Sequence, residues 1–221
     1  MRRVIEVTRR DGWIALVDAL GGRLRSAMLR RRHGYAPGFQ VGYSAQWLGG
    51  ARVQIGKNFR AQKRLRLELV EMHLGRQYQP QLLIGDDVSV YDDVHIACAS
   101  NIIIGNAVMM ASKIYISDHN HGKYNGSDQD SPLVPPGERL LGLAPVRIGD
   151  RVWLGEMVSV LPGVTIGEGS IIGANSVVSR DIPPNCIAVG SPARVVKRFD
   201  TVLGTWVREL SVQHVHTGDS T

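Results

Sequence analysis

Two imidazoles stand almost side by side in Asp118-His119-Asn120-His121-Gly122. An imidazole titrates near neutrality, so it can take a proton from a weak nucleophile or ligate a metal ion. The metal reading is short of donors. Asp118, His119 and His121 find no further ligand set at the spacing a zinc site needs. Cys98 and Cys186 are far apart and form no CxxC pair, so they read as small buried residues of a reducing compartment. Gly167, Gly169 and Gly173 are not a dinucleotide fingerprint, because their spacing is wrong and no strand–helix unit follows. Asn125-Gly126-Ser127 matches a glycan acceptor, but no secretory signal accompanies it.

The frame that must position the histidines shows in a six-residue beat. Ile148, Leu154, Val160, Ile166, Ile172 and Val178 keep it without a miss, and glycine follows four of them, at 149, 155, 167 and 173. Six is neither the helical 3.6 nor the alternation of a plain strand. It is the period of a parallel β-helix, in which each turn buries one aliphatic side chain per short strand and only the next turn completes the burial. The beat also runs through Ile84, Val90 and Ile96, slips by two, and resumes at Ile104, Met110 and Ile116. From Ile116 to Ile148 about 26 residues leave the frame. The histidines open this projecting loop, about 118–145, and a long loop on a rigid solenoid is usually functional.

The two ends depart from the beat. Residues 1–34 read as a basic amphipathic helical segment: Trp13, Leu16, Val17, Leu20, Leu24 and Met28 recur at three and four, and Gly21-Gly22 is expected to end or kink a first helix. The β-helix domain spans 35–198, with irregular early turns around 60–81. Here Leu65, Leu67 and Leu69 alternate with Arg66 and Glu68 as in a half-exposed strand. Pro183-Pro184 and the stretch 189–195 should close its far end, since proline cannot feed a strand ladder. Residues 199–221 read as a short helix (Val202, Trp206, Leu210) and a polar tail.

The chain's +6 net charge belongs to one segment: residues 1–33 hold nine arginines against Glu6, Asp11 and Asp18. No nucleic-acid motif accompanies them, so nucleic acid is not an expected partner. Two readings remain for this segment. It is a packing helix with solvated arginines, or a peripheral membrane-surface helix drawn to anionic lipid. No apolar run reaches the ~18 residues of a membrane span and no signal peptide opens the chain, so a cytoplasmic protein is expected, with the inner membrane face as a further location.

Four blocks resemble the hexapeptide-repeat acyltransferases, and more narrowly their sugar O-acetyltransferase branch. They are Ile148-Gly149-Asp150-Arg151-Val152-Trp153-Leu154-Gly155, Leu161-Pro162-Gly163-Val164-Thr165-Ile166-Gly167, Ile172-Gly173-Ala174-Asn175-Ser176-Val177-Val178 and Gly190-Ser191-Pro192-Ala193. The resemblance covers roughly residues 84–198. It implies an all-β chain folded as a left-handed parallel β-helix, a homotrimer with active sites between neighbouring prisms, acetyl-CoA as donor and no metal. By the same resemblance His119, 34 residues before Trp153, is the catalytic base, with His121 as the alternative. Such a base removes the proton that makes a sugar hydroxyl a poor nucleophile.

The resemblance also places Trp153 against the acceptor or the pantetheine arm, and a backbone N–H of Gly155 or Glu156 against the developing oxyanion. Ala174 would touch pantetheine, and Ser179, Arg180, Arg194 and Lys197 would meet the nucleotide end of CoA. Glu156 departs from the small residue often found there. Where the maltose and galactoside enzymes have an acceptor-touching asparagine, this chain has Tyr91, Asp92 and Asp93, so a different acceptor is expected, bound by these residues and His121 through its hydroxyls or an amine. The resulting expectation is an acetyl-CoA-dependent O-acetyltransferase of a sugar hydroxyl in bacterial surface polysaccharide or glycoconjugate assembly. The alternatives are N-acetylation of a nucleotide-linked amino sugar and a non-catalytic β-helix scaffold.

Overall fold

The computed structural model of the protein describes residues 2–49 and 53–209. Every aliphatic residue of the six-residue beat from Ile148 to Val178 is buried, as are Ile84, Val90, Ile96, Ile104, Met110 and Ile116. They fill a three-sided prism whose walls are parallel sheets. Face one includes Ser89–Val90, Met109–Met110, Trp153–Leu154 and Ile171–Ile172. Face two includes Arg66–Leu69, His95–Cys98, Tyr115–Ser117, Ser159–Val160 and Val177–Val178. Face three includes Gln81–Ile84, Asn101–Ile104, Val146–Ile148 and Thr165–Ile166. The chain visits faces one, two and three in turn, six residues each, so Trp153 pairs with Ile171 and Ser159 with Val177, one full turn later.

Among the described residues two turns carry an insertion of more than two residues, and the excess leaves the prism both times at the corner between faces two and three. Before Gln81 a small hairpin forms from Met72–His73 and Arg76–Gln77. In the later turn Ile104 pairs with Ile148 across the projecting loop. That loop is rooted by an antiparallel ribbon in which His119–His121 pairs with Leu141–Leu143.

Glycine serves the stacking of turns more than the turning itself. A Cβ on Gly155 would lie 2.7 Å from the Ala174 backbone nitrogen, and one on Gly105 would lie 2.7 Å from that of Asp150. Neither glycine needs a left-handed backbone; each needs an absent side chain where two coils touch.

Both ends correct the sequence reading. Helix α1 (Arg2–His33) runs straight through Gly21-Gly22, and its backbone is non-helical at Gly12 instead. The paired glycines admit the first coil: a Cβ on Gly21 would meet that of Tyr43 at 2.9 Å, and one on Gly22 the Val41 carbonyl at 3.0 Å. At the other end the expected short helix is absent among the described residues. Arg194–Asp200 and Thr205–Arg208 form antiparallel strands that extend face one beyond Cys186–Val189. The reason is a strong turn between them. Asp200 Oδ1 accepts the N–H groups of Val202 and Leu203 (2.8 and 2.9 Å), and Gly204 takes φ +63°. Phe199 and Trp206 then meet across the strands, with ring centroids 5.2 Å apart. Leu210 and the polar tail lie outside the described residues. The stretch 189–195 does fold over the last turn, Ala193 donating its N–H to the Val177 carbonyl at 2.8 Å.

Candidate active site

His119 leaves face two directly after Tyr115–Ser117 and is held from both sides of its own peptide. Ser117 Oγ accepts its N–H at 3.2 Å and donates to its carbonyl at 3.0 Å. Its side chain is only 11% exposed, and Nδ1 lies 3.0 Å from Asp118 Oδ1. Asp118 is itself fully buried. Its carboxylate accepts the Ala99 and Ser100 N–H groups, each at 2.8 Å, and the Cys98 thiol at 3.4 Å. Burial pushes the Asp118 carboxyl up, but His119, the two amides and the thiol outweigh it and hold the group below its ordinary value. A carboxylate only accepts, so Nδ1 carries the proton and the ring's lone pair lies on Nε2. An anchored anion, an oriented imidazole and a free basic nitrogen are the parts of a general base.

The sequence alone offers Asp118 only as a metal ligand and gives Cys98 no place at the site. Cys98 lies beneath Asp118, and burial together with the Asp118 charge drives its thiol pKa upward, which is the behaviour of an inert thiol. Among the described residues no three His, Cys, Asp or Glu side chains converge on a point that could hold a metal ion.

A second polar group flanks His119 on face two. His95 pairs with Tyr115 and Arg66, and the neighbouring row sets Ala97 beside Ser117 and Glu68. His95 Nε2 lies 3.1 Å from Glu68 Oε2, which also receives Arg66 Nη2 at 2.7 Å. Burial, only partly offset by Glu68, lowers the His95 pKa, and the charge of Arg66 lowers it further. The alternation around Glu68 shows a half-exposed strand but not its meeting with His95, because the hairpin turn puts them 27 residues apart.

His121 is exposed on the same ribbon. Its ring lies 5.3 Å from that of His73 on the small hairpin. His73 Nε2 in turn lies 2.9 Å from the Arg139 carbonyl, and the Tyr78 hydroxyl accepts the Leu141 N–H at 3.2 Å. The early insertion therefore braces the projecting loop. Within the loop Arg139 ties Tyr124 to Val134 (both 2.8 Å).

The remaining candidates occupy other places. Trp153 stands half-exposed on face one between Met109 and Ile171. The Gly155 N–H is spent on the Ile172 carbonyl at 2.8 Å, which removes it as an oxyanion donor and leaves Glu156 of the pair. Glu156 sits at the corner between faces one and two, and Asn175 of the next coil donates to its carbonyl at 2.8 Å, so Ala174 lies against the same corner. At the corner between faces three and one, Lys57, Asp86 and Asn106 each follow a glycine and are capped by an Asp or Asn side chain from the next turn. Asp86 Oδ1 accepts the Lys57 N–H at 2.7 Å, and Asp150 Oδ1 accepts that of Asn106 at 2.7 Å. Above Glu156 the corresponding residue is Ala174, which has no acceptor to offer. Ser179 and Arg180 follow the last strand of face two, and Arg194 and Lys197 lie on the antiparallel extension.

Tyr91, Asp92 and Asp93 lie at the same corner as Glu156, one edge of the prism away from His119. Arg64 binds Asp93 (Nη2–Oδ2 2.7 Å) and holds its carboxyl below the ordinary value, while Asp92 Oδ1 accepts the Lys63 N–H at 2.8 Å. Those carboxylates serve the stacking of coils.

Comparison with known proteins places this architecture. Residues 145–180 match the family model described as bacterial transferase hexapeptide (six repeats). WbbJ of Escherichia coli K12, assigned by name to lipopolysaccharide biosynthesis as an O-acetyl transferase, is 43% identical over 155 residues, which is 70% of this chain and 76% of that protein. Among solved structures, a maltose O-acetyltransferase from Clostridium difficile 630 superposes with TM-score 0.50 at 26% identity, over 90% of this chain and 86% of its own. A point mutant of AntD, an N-acyltransferase from Bacillus cereus, superposes with TM-score 0.64 over 80% of this chain and 91% of its own, at 19% identity, and shows a common fold. The prism is thus a left-handed parallel β-helix, and the chain belongs to the hexapeptide-repeat transferase family, among acetyltransferases.

Proposed function

We propose that the protein transfers an acetyl group from acetyl-CoA to a hydroxyl of a sugar, with His119 as general base. The observation that carries this is the buried Asp118–His119 pair, which presents Nε2 at the root of the projecting loop. Nε2 takes the acceptor's hydroxyl proton as that oxygen attacks the thioester carbonyl. The tetrahedral oxyanion is met by the Glu156 N–H, and collapse expels the CoA thiolate, which recovers the proton from the imidazolium. The named relatives favour an O-acetyl acceptor and a setting in bacterial surface polysaccharide assembly. Bound coenzyme A in the AntD structure is in keeping with the donor.

The pantetheine arm runs past Ala174 and Trp153, with Ser179, Arg180, Arg194 and Lys197 as the rim that receives phosphate. Glu68 and His95 belong to the acceptor side, together with His121. A homotrimer completes the site. His119 and Glu156 lie on different edges of one prism, separated by a strand of face two at roughly 3.3 Å per residue. A reacting carbonyl must lie about 3 Å from both the attacking oxygen and the oxyanion donor, so each edge meets the other edge of a neighbour. Leu133, 91% exposed near the loop tip, is a side chain such a neighbour would cover. The working location is the cytoplasm, where acetyl-CoA is available; no described helix is long and apolar enough to cross a membrane.

The test is release of free thiol from acetyl-CoA in the presence of O-acetylatable sugars and amino sugars. His119→Ala is expected to abolish transfer while His121→Ala retains most of kcat. The reverse outcome removes the assignment of His119, transfer confined to amino acceptors makes the enzyme an N-acetyltransferase, and no transfer above background leaves a scaffold.

A further inference from the structure

Helix α1 turns its apolar stripe away from the protein. At about 100° per residue Trp13, Val17, Leu20, Leu24 and Met28 fall within an arc of roughly 80°, and every one of them is exposed, Trp13 by 75% and Leu24 by 74%. The face docked on the prism is the opposite one: Gly22, Ser26 and Leu29 are buried there. Ser26 Oγ accepts the Val41 N–H at 2.9 Å and donates to the Gly22 carbonyl at 2.7 Å. The helix does pack on the prism with its arginines solvated, but through Gly22, Ser26 and Leu29; of the apolar stripe only Leu16 is partly buried.

Charge is arranged around the stripe. Arg23 and Arg30 lie on one flank, Arg25 and Arg32 on the other, and Arg31 at its end; all but the half-buried Arg25 are exposed. The acidic residue of this stretch, Asp18, points inward and is paired with Lys63 of the prism at 2.5 Å. An apolar stripe with guanidinium groups on both sides and, among the described side chains from Trp13 to Arg32, no unpaired carboxylate fits a surface of opposite charge over an apolar layer. A second copy of the same helix would bring arginine against arginine. We infer that α1 is a docking helix for an anionic lipid surface, with Trp13, Val17, Leu20, Leu24 and Met28 entering the interface and the arginines meeting headgroup phosphates.

The test uses the full chain with vesicles of phosphatidylcholine alone or mixed with phosphatidylglycerol. Co-sedimentation is expected with the mixed vesicles only, and is released by raised salt. Leu20→Asp/Leu24→Asp is expected to weaken binding by more than about tenfold, with acetyl transfer to a soluble acceptor unchanged. Trp13 emission is expected to shift to the blue on the mixed vesicles, and Trp13→Phe to remove that shift, a readout independent of whether the double variant folds. Equal, negligible binding to both vesicle types overturns the inference, as does full binding by the double variant or an unshifted Trp13. Sedimentation velocity adds one more opposing outcome: loss of self-association in the double variant, without vesicle binding by the wild type, assigns the stripe to a second copy of the chain.

Discussion

Asp118→Asn isolates the part of the site that the sequence leaves least visible. The substitution keeps size and shape but replaces one acceptor oxygen by an NH₂ group. The wild-type carboxylate accepts from Ala99 N, Ser100 N, Cys98 Sγ and His119 Nδ1. The amide has two ways to sit, and both fail. With NH₂ in the place of Oδ2, donor faces the Ser100 N–H at 2.8 Å and the imidazole keeps only a neutral oxygen where it had a carboxylate. With NH₂ toward His119, the imidazole is driven to the tautomer that has no lone pair at Nε2. The first arrangement costs about 1–3 kcal/mol for a buried unsatisfied donor, or about 2–4 °C in Tm for each kcal/mol in a chain of this size. The second removes the base, which is worth about 10²–10⁴ in rate.

The variant should therefore show kcat lower by at least about 100-fold, with KM for acetyl-CoA nearly unchanged, since Asp118 is buried and meets no part of the donor. Adding it to His119→Ala should cost little more, because two residues acting as one unit are not additive. Steady-state thiol-release kinetics at several pH values make the measurement. Acid denaturation supplies a second reading. The folded carboxyl is held below its ordinary value, so its contribution to stability is complete above the ordinary carboxylate range and is lost as pH falls through the lower folded pKa; in the Asn variant that acid-side loss is smaller. If Asp118→Asn kept more than about a third of kcat while His119→Ala lost activity, the base would not depend on its carboxylate and the reasoning would be refuted.

Gly155→Ala should lower Tm through the 2.7 Å approach of its Cβ to the Ala174 nitrogen, by the ~1–3 kcal/mol usual for overpacking; an unchanged melting curve would show that the coils can part at that corner. Glu68→Gln should raise KM for the acceptor and leave slow hydrolysis of acetyl-CoA without acceptor unaltered, since Glu68 touches His95 and Arg66 and lies off the donor corner; an equal loss in both reactions would move Glu68 out of the acceptor side. Cys98, buried and with its thiol pKa driven up, should resist iodoacetamide at pH values of about 8 until the protein unfolds, as peptide mapping by mass spectrometry will show; rapid labelling in the folded state would mean that the Asp118 anchor opens.

The six-residue beat settled the fold because it is a local rule with a global cause. An aliphatic residue is buried only if every sixth position agrees, so the pattern from Ile148 to Val178 states the prism directly, and the interruption after Ile116 marks where chemistry can project. The place of His119, close behind the last buried position of the beat, was legible for the same reason, while its role was read from the family resemblance. What tertiary structure decided were the meetings of residues from different turns. Ala99 and Ser100 come beneath Asp118, Glu68 beside His95, and His73 against His121, pairings that depend on coil lengths altered by the hairpin at Met72–Gln77. At the ends, periodicity misleads. Val202 and Trp206 keep a helical spacing, but Asp200 and Gly204 fix a turn that makes strands of their neighbours. In α1 the apolar stripe was visible in the sequence, yet only the docked face of Gly22, Ser26 and Leu29 shows that the stripe looks outward. A pattern of residues fixes which side of an element is apolar; contact with the rest of the chain decides whether that side is covered.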